Sequence, residues 1–176
     1  MFDVANIPLP IIGENVIIRT LCEFDLDELY ALETDTAVKA FLGGPVTRPR
    51  EVWIEGMRKL LDQQYAVTSK CTREFAGCAS LTVPGLPGKE SEIRVLIAKS
   101  YWGQQLGREV CQLLIGVAFS HLEASSVLAV IHPNNNASKM LVTSLGFRCI
   151  QTKQSETWDN GHLIFSLEHS GELADS

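Results

Sequence analysis

The chain lacks most of the features by which a sequence announces a partner. No apolar run approaches the ~20 residues of a membrane span, and the start, MFDVANIPLPIIG, has neither the basic stretch nor the long apolar core of a secretory leader. Cationic residues are in the minority. There are 15 Lys and Arg against 21 Asp and Glu, and the net charge of −6 argues against nucleic acid, whose phosphates need clustered cations. The five cysteines (Cys22, Cys71, Cys78, Cys111 and Cys149) are odd in number and contain no CxxC pair. The four histidines show no ligand spacing with them, so no metal site is expected. The thiols read as buried or half-buried and reduced, in a cytoplasmic protein. No GxxxxGK[ST] is present, which excludes a P-loop, and no GxGxxG, which excludes the dinucleotide fingerprint.

What is present is an ordinary globular chain. Its 176 residues, 45% hydrophobic and 20% charged, suit one domain over residues 1–176 with an ample core. The pattern is α+β, without repeats. Asn15–Leu21 reads as a strand, and Asp25 with Glu28 as a capping-box start to a helix bearing Leu26, Leu29 and Tyr30 on one face. After the Gly43-Gly44-Pro45 break, a second helix begins near Pro49, with Trp53, Met57, Leu60 and Leu61 at helical spacing. Tyr65–Ser69 and Glu74–Val83 read as an antiparallel pair. A loop of Pro84, Gly85, Pro87 and Gly88 leads to a strand over Glu92–Ala98.

The second half is sharper. Leu106, Val110, Leu113, Leu114, Val117 and His121 share one face of a helix reaching about Leu122. Val127–Ile131 is apolar without alternation, as a strand buried on both faces would be. Asn134 and Asn135 can cap the next helix, with Ala137, Met140, Leu141 and Leu145 on its apolar face. Gly146 stops that helix and Phe147 supplies the hydrophobic contact beyond. Phe147–Thr152 and His162–Leu167 are final strands about an Asp159-Asn160-Gly161 turn.

Two stretches carry chemistry. Ser91–Gly107, SEIRVLIAKSYWGQQLG, is a strand, a turn and a glycine-punctuated helix entry. That order aims unpaired N–H groups and the positive end of a helix dipole at one spot, which suits a phosphate. Two glycines four apart also fit a plain turn followed by close helix packing. Ile131–Phe147, IHPNNNASKMLVTSLGF, is a strand, an Asn-rich cap and an amphipathic helix, and its excess of asparagines can cap the helix, bind a ligand amide, or both.

Together these stretches resemble the Gcn5-related N-acetyltransferase (GNAT) superfamily, and more specifically its RimJ/RimL-type branch. Tyr101-Trp102-Gly103-Gln104-Gln105-Leu106-Gly107-Arg108-Glu109 is similar to the branch's YWGxGxA-TE acetyl-CoA motif. His132-Pro133-Asn134-Asn135-Asn136-Ala137-Ser138 through Leu145-Gly146-Phe147 is similar to its HPxNxxS…LGF signature. The opening IIRTLCEFDLDELYAL resembles its LR-x-L-x-x-x-D-L-x-x-L-Y start. The chain departs from the motif at Gln105, which stands where the motif has its central glycine, and at Arg108, where the family often has threonine.

The resemblance implies a mixed, strongly twisted sheet of six to seven strands with about four helices, its fourth and fifth strands splayed apart around acetyl-CoA. The pantetheine arm would lie on the backbone of Val95, Leu96 and Ile97. The pyrophosphate would sit on Gly103, Gln104, Gln105, Leu106, Gly107 and Arg108, and Asn135 would contact the arm or the acceptor. Glu92 would be the general base and Ser138 the group that protonates the leaving thiolate. Their alternatives are a solvated strand-end carboxylate and a helix-capping serine. His121 and His132 read as structural. The acceptor, a protein N-terminal amine or a small amine, would bind between the first two helices and the last hairpin around Trp158–His162. No nucleic-acid or membrane partner is expected, and a homodimer is left open. The rival is a GNAT-like module that binds acyl-CoA without turnover. Gln105 bears on both: at positive φ its side chain would cost ~1 kcal/mol or more, whereas in helical geometry the side chain would simply project outward.

Overall fold

The computed structural model describes residues 7–82, 89–153 and 161–169. The expected 84–88 loop and the 159–161 turn with its Trp158 neighbourhood lie outside or at the edge of the described residues. The strands are β1 (Ile11–Ile12), β2 (Val16–Thr20), β3 (Tyr65–Ser69), β4 (Phe75–Thr82), β5 (Glu90–Ile97), β6 (Ser126–Ile131), β7 (Arg148–Lys153) and β8 (His162–Glu168). The helices are α1 (Leu26–Thr34), α2 (Arg50–Met57), α3 (Leu106–Ser120) and α4 (Asn136–Ser144). All eight strands join one sheet in the order β1-β2-β3-β4-β5-β6-β8-β7. The extra strand beyond the expected seven is β1, only two residues long and paired to β2. It shifts the expected splayed pair to β5 and β6.

β5 and β6 are the parallel pair among otherwise antiparallel neighbours, and α3 makes the crossover such a pair requires. Alternation along β5 sorts the two faces. Ile93, Val95 and Ile97 join the cluster that holds Leu106, Val110 and Leu114 of α3. Leu96 joins Leu26, Leu29 and Leu32 of α1 and Ile54 of α2 on the other face. A register shift between Val67 and Thr68 on β3 opposes Gly77 and Phe75, so Ala76 is an extra residue on β4. Beyond it the inward set on β4 changes phase, to Ala79 and Leu81.

Several local expectations change. The capping box belongs to Cys22 and Asp25, not to Asp25 and Glu28. Asp25 is the third residue of a 3-10 turn, Glu23–Asp25, and its carboxylate accepts from the Cys22 N–H at 2.9 Å. The same carboxylate takes both terminal nitrogens of Arg19, at 2.6 and 2.7 Å. Leu60 lies in a 3-10 segment, Arg58–Gln63, rather than in α2. His121 is the exposed C-cap of α3, off its apolar face. Met140 is 73% exposed on α4, so only part of the expected apolar face packs. Along β6, Val127, Ala129 and Ile131 are buried while Leu128 and Val130 are half-buried, so one face is less covered than the unbroken apolar run implies. Cys78 and Cys111 are buried, Cys22 is half-buried, and Cys71 and Cys149 are exposed rather than buried.

Candidate active site

The site begins where the sheet stops being continuous. β5 pairs with β6 only at Glu90, Ser91 and Glu92, opposite Ser126, Val127 and Leu128, although β5 runs on to Ile97 and β6 to Ile131. On its other side β5 pairs with β4 as far as Ile97, and the Ala98 N–H donates to the Ala76 carbonyl at 2.9 Å. Antiparallel alternation then turns the N–H and C=O of residues 92, 94, 96 and 98 to β4, and those of Val95 and Ile97 to the gap. Leu96 is therefore removed from the expected backbone edge: its polar groups pair with Cys78. Its carbonyl also crowds Gly77, where a Cβ would stand 2.1 Å from that oxygen, so glycine alone fits there.

The α3 N-terminus closes the same end of the gap. No side chain caps it, and the first-turn amides of Leu106, Gly107 and Arg108 have no intrahelical acceptor. The chain enters the helix through two left-handed residues, Gly103 at φ 77° and Gln105 at φ 64°. The strained alternative for Gln105 is thus the observed one. Yet its side chain is exposed, as the unstrained alternative would have it, and its backbone N–H remains available. A Cβ at Gly107 would sit 3.5 Å from Ile97, ordinary contact, so an alanine would fit there.

Neighbouring segments brace this entry. The Tyr101 hydroxyl donates to Glu74 at 3.1 Å and pairs with the Thr72 hydroxyl at 3.0 Å, fixing the loop to the β3–β4 turn. Gln104 donates to the Ser100 carbonyl at 3.0 Å, and the Trp102 indole donates to the Ile97 carbonyl at 2.8 Å. Arg108 donates to the Ser144 hydroxyl of α4 at 2.5 Å. Glu109 accepts from the Asn15 backbone at 2.9 Å and from its side chain at 3.0 Å. Burial alone would push the Glu109 carboxyl up, but these bonds with those of Glu14 and Val16 hold it below the ordinary value. Glu109 was legible only as part of a motif; nothing local in the sequence showed that it ties α3 to the β1–β2 turn. There the backbone of Gly13 passes so close that a Cβ would lie 2.2 Å from the Glu109 carboxylate. Gly13, Asn15, Gln105, Arg108 and Glu109 border an open depression of about 390 Å³.

Glu92 stands at the last β5–β6 pair, opposite Leu128, on the α1/α2 face of the sheet. Its side chain is 18% exposed, and Oε1 accepts from Arg94 Nε at 2.8 Å. Oε2 has no hydrogen bond among the described residues. Across the gap, beyond β6, Asn135 caps α4 by accepting from the Ser138 N–H at 3.1 Å. The capping serine of the alternative reading is therefore not observed. Ser138 contributes its amide to the cap, and its half-buried hydroxyl has no hydrogen bond among the described residues. Gly146 at φ 93° ends α4, with the Phe147 N–H on the Val142 carbonyl at 3.1 Å. Just before α4, His132 accepts from the Asn134 N–H on Nδ1 at 3.1 Å, and its ring meets Phe41 at 5.5 Å. That contact carries the α1–α2 segment across to the end of β6. Among the described residues no group of three or more His, Cys, Asp or Glu could hold a metal ion, and no helix is long and apolar enough to cross a membrane.

A profile of the acetyltransferase (GNAT) domain matches residues 15–148. The chain belongs to the GNAT acetyltransferase family: it is an N-acetyltransferase with acetyl-CoA as its acyl donor. Its structure is similar to that of a GNAT-family acetyltransferase from Bacillus anthracis, with a TM-score of 0.79 at 16% identity over 90% of this chain and 97% of that one. Spermidine N-acetyltransferase from Vibrio cholerae, solved with CoA and spermine, gives 0.78 at 15% identity over 90% and 98%. A GCN5-related N-acetyltransferase from Brucella melitensis gives 0.76 at 19% identity over 89% and 77%. These likenesses are of fold. A search of curated proteins finds no match by sequence. The residues at the gap suit the donor: an unpaired strand edge offers amide partners for an extended arm, and an uncapped helix start offers N–H groups for a pyrophosphate.

Proposed function

We propose that the chain is a cytoplasmic, RimJ/RimL-type N-acetyltransferase acting on a primary amine. The observation that carries this reading is the three-pair seam between β5 and β6, open beyond Glu92 and closed at one end by the uncapped start of α3. Acetyl-CoA supplies an activated acetyl group on a thioester. Val95 and the Ile97 N–H hold the arm, and the amides from Gly103 to Arg108 hold the pyrophosphate. Arg108 adds charge nearby, although its guanidinium is engaged with Ser144.

Glu92 is the base in this reading. Its unengaged Oε2 takes the proton that the amine gives up as nitrogen bonds to the acetyl carbon. The Ser138 hydroxyl lies past the end of β6 with no hydrogen bond among the described residues, and it donates toward the sulfur as the C–S bond breaks. The structural neighbours include spermidine N-acetyltransferases, which supports an amine acceptor without fixing its kind. No nucleic acid enters this reading.

The test is thiol release from acetyl-CoA against an amine panel, with Glu92→Gln beside the wild type. The expected result is amine-dependent release whose rate rises with pH, and loss of that dependence in Glu92→Gln. An unchanged pH–rate profile in the variant would exclude Glu92 as the base. The second reading, a module that binds acyl-CoA without turnover, is favoured by Gln105 at φ 64°, where a side chain stands beside the N–H cradle. Calorimetric binding of CoA without release under any amine would establish it.

A further inference from the structure

Resting on the acetyltransferase reading, we propose that Arg94 makes this an enzyme for amino-carboxylates: primary amines that carry a carboxylate near the reacting nitrogen. Arg94 lies two residues after Glu92 on the same face of β5, just beyond the last β5–β6 pair. Its side chain is 69% exposed, while that of Glu92 is 18% exposed. The guanidinium is thus the solvent-facing member of the pair at the mouth of the gap.

The decisive detail is which nitrogen Arg94 uses. Arg19 binds Asp25 through both terminal nitrogens. Arg50 engages Asp27 through Nε and Nη2, and Arg58 reaches Glu23 and Glu55 through Nε and Nη1. Lys39 is closed against Glu33 at 2.6 Å, both largely buried. Arg94 engages Glu92 by Nε alone, and neither Nη atom has a partner among the described residues. Two parallel Nη–H donors are the edge that receives a carboxylate in a bidentate pair.

One side chain thereby does two things. Nε holds the Glu92 carboxylate in place, and the open edge takes the acceptor's carboxylate. The acceptor's amine is left beside the carboxylate oxygen that Arg94 does not occupy. A polyamine presents only cations to this guanidinium, and like charges a few ångströms apart repel. The selected acceptor is therefore opposite in character to the spermine found with the Vibrio cholerae neighbour.

The experiment measures kcat/KM with saturating acetyl-CoA for matched acceptors: alanine against alaninamide, 4-aminobutyrate against butylamine, and spermidine. At least one carboxylate should exceed its uncharged partner by tenfold or more. Arg94→Gln should abolish that ratio mainly by raising KM for the carboxylate, and Arg94→Lys should restore part of it. Calorimetry with CoA present should show the favoured carboxylate binding at least tenfold more weakly to Arg94→Gln. Turnover with no carboxylate preference, spermidine as the best acceptor, or an equal loss for both members of a pair would overturn the Arg94 assignment and leave acetyl transfer standing. No turnover with any amine would overturn both.

Discussion

The indole N–H of Trp102 donates to the Ile97 carbonyl at 2.8 Å and so closes the last acceptor on the open edge of β5. Among the described residues, the N–H and C=O of Val95 and the N–H of Ile97 still face the gap beyond the last β5–β6 pair. Trp102 is 49% exposed, so its ring can leave without opening the core. Trp102→Phe keeps the ring and removes the donor. If the indole competes with a cofactor amide for that oxygen, the variant binds CoA about two- to tenfold more tightly, the equivalent of one net hydrogen bond. Isothermal calorimetry checks it, and weaker binding would show that the indole supports the loop instead.

Gln105 is the next position to test. At φ 64° it adopts a conformation that glycine takes without penalty, while a glycine also adds entropy to the unfolded chain. The two effects nearly cancel, so Gln105→Gly should leave the melting temperature little changed. CoA binding should tighten severalfold, because a side chain is removed from beside the exposed amides. Equal CoA affinity in the two proteins would mean that Gln105 lies clear of the bound phosphates.

Asn135 and Ser138 have separable roles. Asn135→Ala removes the α4 cap and should cost about 1 kcal/mol in denaturant unfolding. Ser138 gives its backbone N–H to that cap, so Ser138→Ala should leave stability nearly unchanged. A fall in kcat with unchanged KM for Ser138→Ala is the expected mark of a proton donor. A fall in stability equal to that of Asn135→Ala would reassign the hydroxyl to the fold.

Asp25 sets an acid limit on stability. Burial raises its pKa, but the hydrogen bonds and charge of Arg19 and the bonds from Cys22 outweigh this and hold it below the ordinary carboxylate value. A group depressed in the folded state adds stability above its unfolded pKa of about 3.9 and loses it as pH falls through the folded value. Wild-type unfolding free energy should therefore decline below about pH 4. Asp25→Asn should flatten part of that decline and cost about 2 kcal/mol at pH 7, since charged hydrogen bonds to Arg19 are lost.

The five thiols should fall into distinct classes in a native thiol-reagent titration. Burial pushes Cys78 and Cys111 up to about 12, so neither should react in the folded protein. Cys71 and Cys149 are exposed and should react at once, with the half-buried Cys22, which donates to Asp25, following slowly. Prompt reaction of Cys78 would indicate that the α1/α2 layer opens readily.

Much of this was legible because it is local. The cap at Asn135 and the stop at Gly146 with Phe147 follow from residue types a few positions apart, and both occur. The strand-turn-helix of Ser91–Gly107 was readable for the same reason. What sequence could not show depends on distant partners. Asp25 looked like a helix cap for Glu28, because Asp and Glu three apart form that pattern, but the bidentate Arg19 fixes it to the turn before. β1 has two residues and no periodicity to detect. The use of Leu96 by β4 rather than by the gap is a matter of register, set by pairing with Cys78 and invisible in a one-dimensional pattern.

The short seam between β5 and β6 also has a mechanical meaning. The sheet is stitched along six residue pairs between β4 and β5, and along six between β6 and β8, but along three at its centre. Apart from the two-pair edge between β1 and β2, tension across the strands would part the sheet there first, leaving α3 as the strap between a half built on β1–β5 and a half built on β6–β8. A ligand lying in the gap would serve as the missing stretch of strand, so its arrival would be registered as stiffness as well as occupancy.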